Sequence, residues 1–142
     1  MRISAKTEYA CIAMLDLAAA YATGEPVRIG KIAETHGIPS RFLVQILLQL
    51  KGAGYVTSTR GAAGGYQLAV SPDDVSLADV MNVIDGQEDT IHSSSTADSP
   101  ASRALLGAWN EVATVERRML SELSFADLVA RVRKQAENMY YI

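Results

Sequence analysis

Residues 28 to 68 read RIGKIAETHGIPSRFLVQILLQLKGAGYVTSTRGAAGGYQL, and this stretch decides the fold. It predicts a short helix, a turn at Gly37, a second helix over 40–51, and two strands, 55–59 and 65–70, joined by a glycine-rich tip. Two helices joined by a tight turn form a helix-turn-helix, and the strand pair that follows is a wing. The predicted class is therefore mainly α with a small two-stranded antiparallel β wing.

The second helix of this pair has one apolar side and one mixed side. Its apolar residues recur at the spacing of a buried face: Phe42, Leu43, Ile46, Leu47 and Leu50. This leaves Ser40, Arg41, Val44, Gln45 and Lys51 facing outward. Outward residues at the start of such a helix meet base edges and phosphates in a DNA major groove.

The wing tip, residues 60–65, carries Arg60 and otherwise only alanine and glycine. Glycine permits positive φ and lets the backbone approach another surface, such as a phosphate chain, while an arginine at the wing suits a minor groove. Taken by itself, such an arginine is more often a solvated loop residue, and only its place at the wing makes Arg60 a contact candidate. The predicted DNA contacts are Arg28, Ser40, Arg41, Val44, Gln45, Arg60, Gly61, Gly64, Gly65 and Tyr66.

The flanking segments are mostly helical. Residues 5–22 form a predicted helix with Ser4 as N-cap and Gly24 as its stop, and its apolar residues lie on two sides. A helix apolar on two sides is usually buried on two sides, and in so small a protein a partner subunit could supply the second cover. A capping-box-like SLAD at 76–79 opens another helix that ends at Gly86.

The C-terminal part begins with the polar, serine-rich segment 87–102, followed by a long helix over 103–123 and a last helix capped by SFAD at 124–127. These bounds divide the chain into a DNA-binding domain (1–86), a sensor-type loop (87–102) and a dimerisation part (103–142). The expected dimer contacts are Leu105, Leu106, Trp109, Val112, Ala113 and Leu120. A ligand pocket lined by Trp109 is the alternative interpretation of the same surface.

Composition and charge narrow the function classes. The 142 residues are 49% hydrophobic and 20% charged, which fits a globular chain with a core. No apolar run is long enough for a membrane helix and no signal peptide is apparent, so we expect a cytoplasmic protein. Although the net charge is -3, residues 1–70 carry +3 and residues 71–142 carry -6, which places a nucleic-acid face on the first half.

Four segments carry a resemblance to a known family: MRIS.K.EYA..AMLDLA at 1–18, IAE..GIPSRFLVQIL..L..AGYV at 32–56, STRGAAGGYQLA at 58–69 and VSLADVMNVIDG at 75–86. Trp109 and SFADL at 124–128 continue the match over nearly the whole chain. The chain resembles the Rrf-two (Rrf2) family of winged helix-turn-helix transcription regulators. The family implies a homodimer, joined through the long helix, that binds a partly palindromic operator on double-stranded DNA.

Within this resemblance, Arg60 matches the family's minor-groove arginine, and Ser40, Arg41 and Gln45 fall where the recognition helix makes contacts. Val44 departs from the family, because the iron-sulfur branch has a base-reading glutamate there. A valine cannot accept a hydrogen bond from cytosine, so operator preference should differ.

The sensor residues depart further. Many members hold an iron-sulfur cluster with three cysteines before the long helix, where this chain has His92, Ser93, Ser94, Ser95 and Arg103. Serine hydroxyls are poor ligands for such clusters, so we expect no cluster, as in the cysteine-metabolism branch. Substitution of cysteines by serine in an engineered chain is the alternative.

Other titratable residues have competing interpretations. Glu8 matches a carboxylate ligand of some members, and His92 could bind metal with Glu8 or Asp89, although a solvated histidine is the simpler interpretation. Cys11 lies in an apolar stripe, which favours an inert thiol over a redox sensor. His36 is expected at a helix end, interacting with the helix dipole.

Two functions from different classes follow. The first is a dimeric, sequence-specific DNA-binding regulator, which we expect to be a repressor. The second is a signal-responsive interaction module that acts through a protein or small-molecule effector at the dimer interface, or an iron-sulfur or redox sensor with unrecognised ligands. Enzyme chemistry is not expected, since no Ser-His-Asp spacing, phosphate loop or HExxH occurs in the sequence.

Overall fold

The computed structural model describes residues 1–86 and 90–140. Its helices and strands follow the order α1 (Ala5–Ala20), α2 (Ile29–His36), α3 (Ser40–Gly52), β1 (Val56–Thr59), β2 (Gly65–Leu68), α4 (Leu77–Asp85), α5 (Pro100–Glu122) and α6 (Phe125–Tyr140). The predicted class, mainly α with a two-stranded antiparallel wing, is confirmed. Over the described ranges, none of the helices combines the length and apolar character needed to cross a membrane.

Helix α1 lies at the centre of the core. The predicted N-cap is confirmed, since Ser4 Oγ accepts a hydrogen bond from the Thr7 backbone N–H at 3.1 Å. The α-helix ends at Ala20, two residues before the predicted end, because the chain tightens into a 3-10 turn at Tyr21–Thr23. Gly24 then stops the segment with a φ of 70°, in the left-handed conformation that glycine adopts without strain.

The second apolar side of α1 is covered in part by its own chain, and cover by a partner subunit stays a prediction. Helices α3, α4 and α6 all pack against α1. The side chains of Ala10, Ala13, Met14 and Leu17 are essentially inaccessible to solvent, and Cys11 is half-buried. The first apolar side of α1 is therefore buried within the chain, whereas on the second side Cys11 and Leu15 are half-buried and Ala22 is exposed.

Helices α4 and α6 begin side by side. Ser76 and Asp79 form the predicted capping box, with the Ser76 N–H donating to Asp79 Oδ2 and the Asp79 N–H donating to Ser76 Oγ. The Phe125 N–H donates to the carbonyl of Val75 at 2.9 Å, which joins the two helix starts. Phe125 is fully buried in the same core as α1 and α3. Helix α6 therefore returns to the N-terminal core, and the predicted three-part division stays a prediction.

Helix α5 begins at Pro100, three residues before the predicted start at 103. Ser99 Oγ accepts from the Ser102 N–H at 3.2 Å, and a proline fits the first helical position because its missing N–H has no partner there. The sequence therefore held the signal for the earlier start in its Ser99-Pro100 pair. No residue of α5 is buried within this chain, although the helix packs against α4.

Candidate nucleic-acid interface

Helix α3 presents one face to the core and the other to solvent. Leu43, Ile46, Leu47 and Leu50 are fully buried, because their spacing places them on one side of the helix. The four predicted contact residues of this helix are all exposed: Ser40, Arg41, Val44 and Gln45. These residues of α3 are therefore accessible to a DNA groove, as the predicted contacts require.

Leu48 belongs to the same exposed face and was missed by the sequence analysis. Its side chain is 57% exposed, and Val44, one turn earlier, is 44% exposed. The helical spacing predicts this exposure, because residue 48 follows Val44 by four positions and Arg41 by seven and so lies on the same face. The outward face of α3 is therefore partly apolar.

A tight turn and a side-chain pair hold α2 and α3 in place. Gly37 ends α2 with a φ of 65°, and the following Ile38 is buried. His36 is the last residue of α2, as expected, and its Nε2 lies 2.9 Å from Asp16 Oδ2 on α1. This pair fixes the C-terminal end of α2 to α1.

Arg41 is positioned by the aromatic ring beside it. Its guanidinium lies 5.1 Å from the ring centroid of Phe42, within the range of a cation–π contact. Phe42 packs in turn on Tyr9 of α1, with ring centroids 5.8 Å apart. The guanidinium of Arg41 is thus held beside the Phe42 ring, while the residue as a whole stays exposed.

The wing consists of β1 and β2, paired from Val56 and Leu68 at the base to Thr59 and Gly65 at the tip. Both strands are slightly shorter than the predicted 55–59 and 65–70. Lys51 Nζ at the end of α3 donates to Ser58 Oγ of β1 at 2.7 Å, which ties the wing to the helix. Arg60 is exposed just beyond β1, where the prediction placed it.

A third backbone segment completes the wing and was not predicted. The Val27 N–H donates to the Tyr66 carbonyl, and the Tyr66 N–H donates to the Val27 carbonyl, both at 2.8 Å. The side chain of Tyr66 is half-buried against the core. Tyr66, proposed from the sequence as a DNA contact, is therefore also the residue that anchors β2 to the chain before α2.

The glycines of the tip make their close approach within the protein. A Cβ on Gly65 would lie 2.5 Å from the Val27 carbonyl oxygen, and one on Gly64 would lie 2.1 Å from the Thr59 carbonyl oxygen. Gly61 is exposed and has a φ of 101°. Gly64 and Gly65 are therefore required because the neighbouring backbone leaves no room for a side chain. Gly61 is the tip glycine that another molecule can approach.

Arg28 connects the start of α2 to the wing tip. Its Nη2 donates to the Gly61 carbonyl at 3.3 Å, and the side chain is exposed. An arginine has five N–H donors, so this bond leaves others for a phosphate. A shallow pocket between the two elements is lined by Arg28, Lys31, Thr59, Gly61 and Gly64 among others.

The long helix α5 leaves an apolar stripe uncovered. Leu105 is 53% and Trp109 is 54% exposed, and Val112 and Met119 are also exposed. The other three predicted dimer residues, Leu106, Ala113 and Leu120, are half-buried within the chain. Of the predicted set, Leu105, Trp109 and Val112 are therefore the residues most available to a partner.

The segment before α5 carries serine hydroxyls and is held by an amide and a guanidinium group of α5. Asn110 holds this segment on α5, because its Oδ1 accepts from the Ile91 N–H at 2.9 Å and its Nδ2 donates to the Ile91 carbonyl. Arg103 Nε donates to Asp98 Oδ1 at 2.8 Å, and this hydrogen bonding lowers the pKa of the Asp98 carboxyl. The Arg103 guanidinium is thus hydrogen-bonded to the Asp98 carboxylate beside the first turn of α5.

These donors do not fit an iron-sulfur cluster. Such clusters need thiolates, and Ser93 Oγ lies instead 3.4 Å from Ser102 Oγ. Across residues 1–86 and 90–140, no group of three His, Cys, Asp or Glu side chains could hold a metal ion. Glu8 and His92 are both exposed, and Asp89, the other suggested partner of His92, lies outside the described residues.

Cys11 has the environment of an inert thiol. Burial raises its pKa to about 11, and the nearby carboxylate of Asp85 adds to the shift. A thiol protonated at neutral pH is a poor nucleophile and a poor metal ligand.

The comparisons with known proteins agree with this geometry. Residues 3–131 match the model of the Rrf2 family, described as an iron-dependent transcriptional regulator. A candidate HTH-type transcriptional regulator of Mycobacterium tuberculosis is 40% identical over 131 residues, which cover 90% of this chain and 81% of that protein. The HTH-type transcriptional regulator CymR of Bacillus subtilis is 31% identical over the full length of both chains.

Solved structures give the same result. The structure of CymR, named as the global cysteine regulator of B. subtilis, superposes with a TM-score of 0.81 at 29% identity, covering 92% of this chain and 98% of that chain. The structure of IscR from T. potens superposes with a TM-score of 0.74 at 30% identity, covering 93% and 88%. The winged helix-turn-helix fold is therefore shared with both.

Proposed function

The chain belongs to the Rrf2 family of transcriptional regulators, and from that premise we propose that it is a homodimeric repressor of a partly palindromic operator, acting in the cytoplasm. The observation that carries this proposal is the exposed face of α3 beside a wing with an exposed arginine. A helix of this kind fits the major groove, and an arginine on the wing fits the adjacent minor groove.

The dimer follows from the stripe on α5. Leu105, Trp109, Val112 and Met119 lie at positions of the alternating four-and-three spacing that marks a coiled-coil seam, with Glu116 at the position between the last two. Side chains this large and this exposed favour a partner surface. The same stripe on a second copy of the chain is the partner that fits best. A two-fold dimer also supplies the two recognition helices that a palindromic site requires.

Selection from a library of random DNA duplexes tests this function. The full-length protein should enrich a two-fold symmetric sequence, bind it as two chains per duplex in native mass spectrometry, and lose affinity steeply as salt rises. Failure to enrich any sequence, or affinity independent of salt, would overturn the proposal and favour an interaction module instead.

A further inference from the structure

The outward face of α3 carries an apolar strip, formed by Val44 and Leu48, between polar neighbours. Single exposed apolar residues are common on protein surfaces and need no explanation. These two differ because they lie one helical turn apart, with Arg41 and Gln45 on the same exposed face. Packing of the core does not explain why Val44 and Leu48 are apolar, because the opposite side of α3 already supplies the buried residues of this helix.

The surroundings of the strip point to a polyanionic partner. Arg41 is exposed beside it, and Lys51 and Arg60 are exposed at the end of α3 and on the wing. The first 70 residues carry a net charge of +3. An acidic protein surface would satisfy the basic residues but would pack poorly on the apolar strip between them. DNA satisfies both, because phosphates lie at the edges of the major groove and thymine methyl groups lie on its floor.

We propose that the Val44–Leu48 strip reads thymine through contact with its C5-methyl group in the major groove. This inference rests on the proposed function and names the base that α3 selects. Thymine is the only one of the four bases that presents a methyl group there, and neither side chain can donate or accept a hydrogen bond. Arg41 and Gln45 are left to hydrogen-bond the neighbouring base edges and phosphates.

The expected size of the effect follows from the burial of one methyl group. Removing a methyl from such a contact costs about fourfold in affinity. In a symmetric site the change occurs twice, so replacing the same thymine in both half-sites should cost on the order of tenfold.

Uracil provides the matched probe, because it pairs as thymine does and lacks only the methyl group. The probe is a duplex enriched from the random library by the full-length protein, with each thymine replaced in turn by uracil in both half-sites. Affinities are measured for the unaltered protein, Val44→Ala, Leu48→Ala and Gln45→Ala. All three side chains are exposed, so the variants should keep the fold, which circular dichroism checks.

For the unaltered protein, replacing at least one thymine by uracil in both half-sites should weaken binding by about tenfold. For Val44→Ala or Leu48→Ala, the same replacement should weaken binding by less than about twofold. Gln45→Ala should weaken binding to both duplexes while leaving the thymine-to-uracil ratio unchanged. A duplex with no uracil-sensitive thymine overturns the proposal, and so does a sensitivity that both apolar variants retain. If no duplex is enriched at all, the proposed function fails first.

Sedimentation of the DNA-free protein separates a protein contact from a base contact. The Val44→Ala and Leu48→Ala variants should have the same oligomeric state as the unaltered chain. A change in that state would assign the strip to a contact between chains and overturn the thymine assignment.

Discussion

Thr7 Oγ1 donates a hydrogen bond to Asp85 Oδ2 at 2.6 Å, joining the first turn of α1 to the last residue of α4. Thr7 is buried, and its hydroxyl also accepts from Ser4 Oγ at 3.0 Å. We expect Thr7→Val to lower the free energy of unfolding by about 1–2 kcal/mol, because the bond to a carboxylate is lost without a change in shape. Urea denaturation measures this. Thr7→Ser should recover most of the loss, and equal stability of Thr7→Val and the unaltered protein would contradict the assignment.

Gly65→Ala should disrupt the wing. Its Cβ would meet the Val27 carbonyl at 2.5 Å at a φ of 149°, so the β2 backbone must move. We expect a loss of about 1–3 kcal/mol in unfolding free energy and weaker DNA binding. Gly30→Ala is the control, since that glycine has open space around it and lies in α2. It should leave DNA binding unchanged and the unfolding free energy equal or up to about 1 kcal/mol higher, because alanine favours a helix more than glycine does. Similar losses at both positions would rule out the steric explanation.

Arg60→Ala should weaken operator binding by about tenfold or more, because a cationic side chain is removed from the groove. The dimer should stay intact, since Arg60 is exposed on the wing and α5 is a separate element. Fluorescence anisotropy gives the affinity and sedimentation gives the dimer. Arg118→Ala removes the same charge from the exposed surface of α5 and should have a much smaller effect. Equal affinity of Arg60→Ala and the unaltered protein would remove Arg60 from the interface.

Leu105→Asp should break the dimer by placing a charge in the seam of α5, where Leu105 is 53% exposed in the single chain. Ala104→Asp is the control, because it adds the same charge one residue earlier, on an exposed position off the stripe. Sedimentation equilibrium should find monomers for the first variant and dimers for the second. Dimers in both would place the interface elsewhere.

Cys11 should resist thiol reagents. With its pKa raised from 9.0 to about 11, the folded protein holds roughly 100-fold less thiolate at pH 8 than the unfolded chain. The reaction with a disulfide reagent should therefore be much slower than in denaturant. Because the folded state binds this proton more tightly, its contribution to stability is complete below pH 9 and is lost as pH rises through 11. A native rate equal to the denatured rate would contradict the buried environment.

The helix pair was predictable because its signals are local. Leu43, Ile46, Leu47 and Leu50 repeat at the helical period, and Gly37 marks the turn, so the outward face of α3 followed by elimination. The capping pairs Ser76–Asp79 and Ser124–Asp127 likewise depend on residues three apart. The start of α5 is also local, since Ser99 caps the helix and Pro100 occupies its first position.

The sequence by itself determined the order of the elements, the wing and the face of α3 that solvent reaches, since each depends on spacing within a few residues. Only the tertiary structure decided that α6 returns through Phe125 to cover α1, that Val27 pairs with Tyr66, and that Gly65 is required by the Val27 carbonyl. These contacts join residues far apart in the chain, and periodicity carries no information about which distant surfaces meet. The same packing also leaves Leu48 exposed beside Val44, which completes the apolar strip of α3.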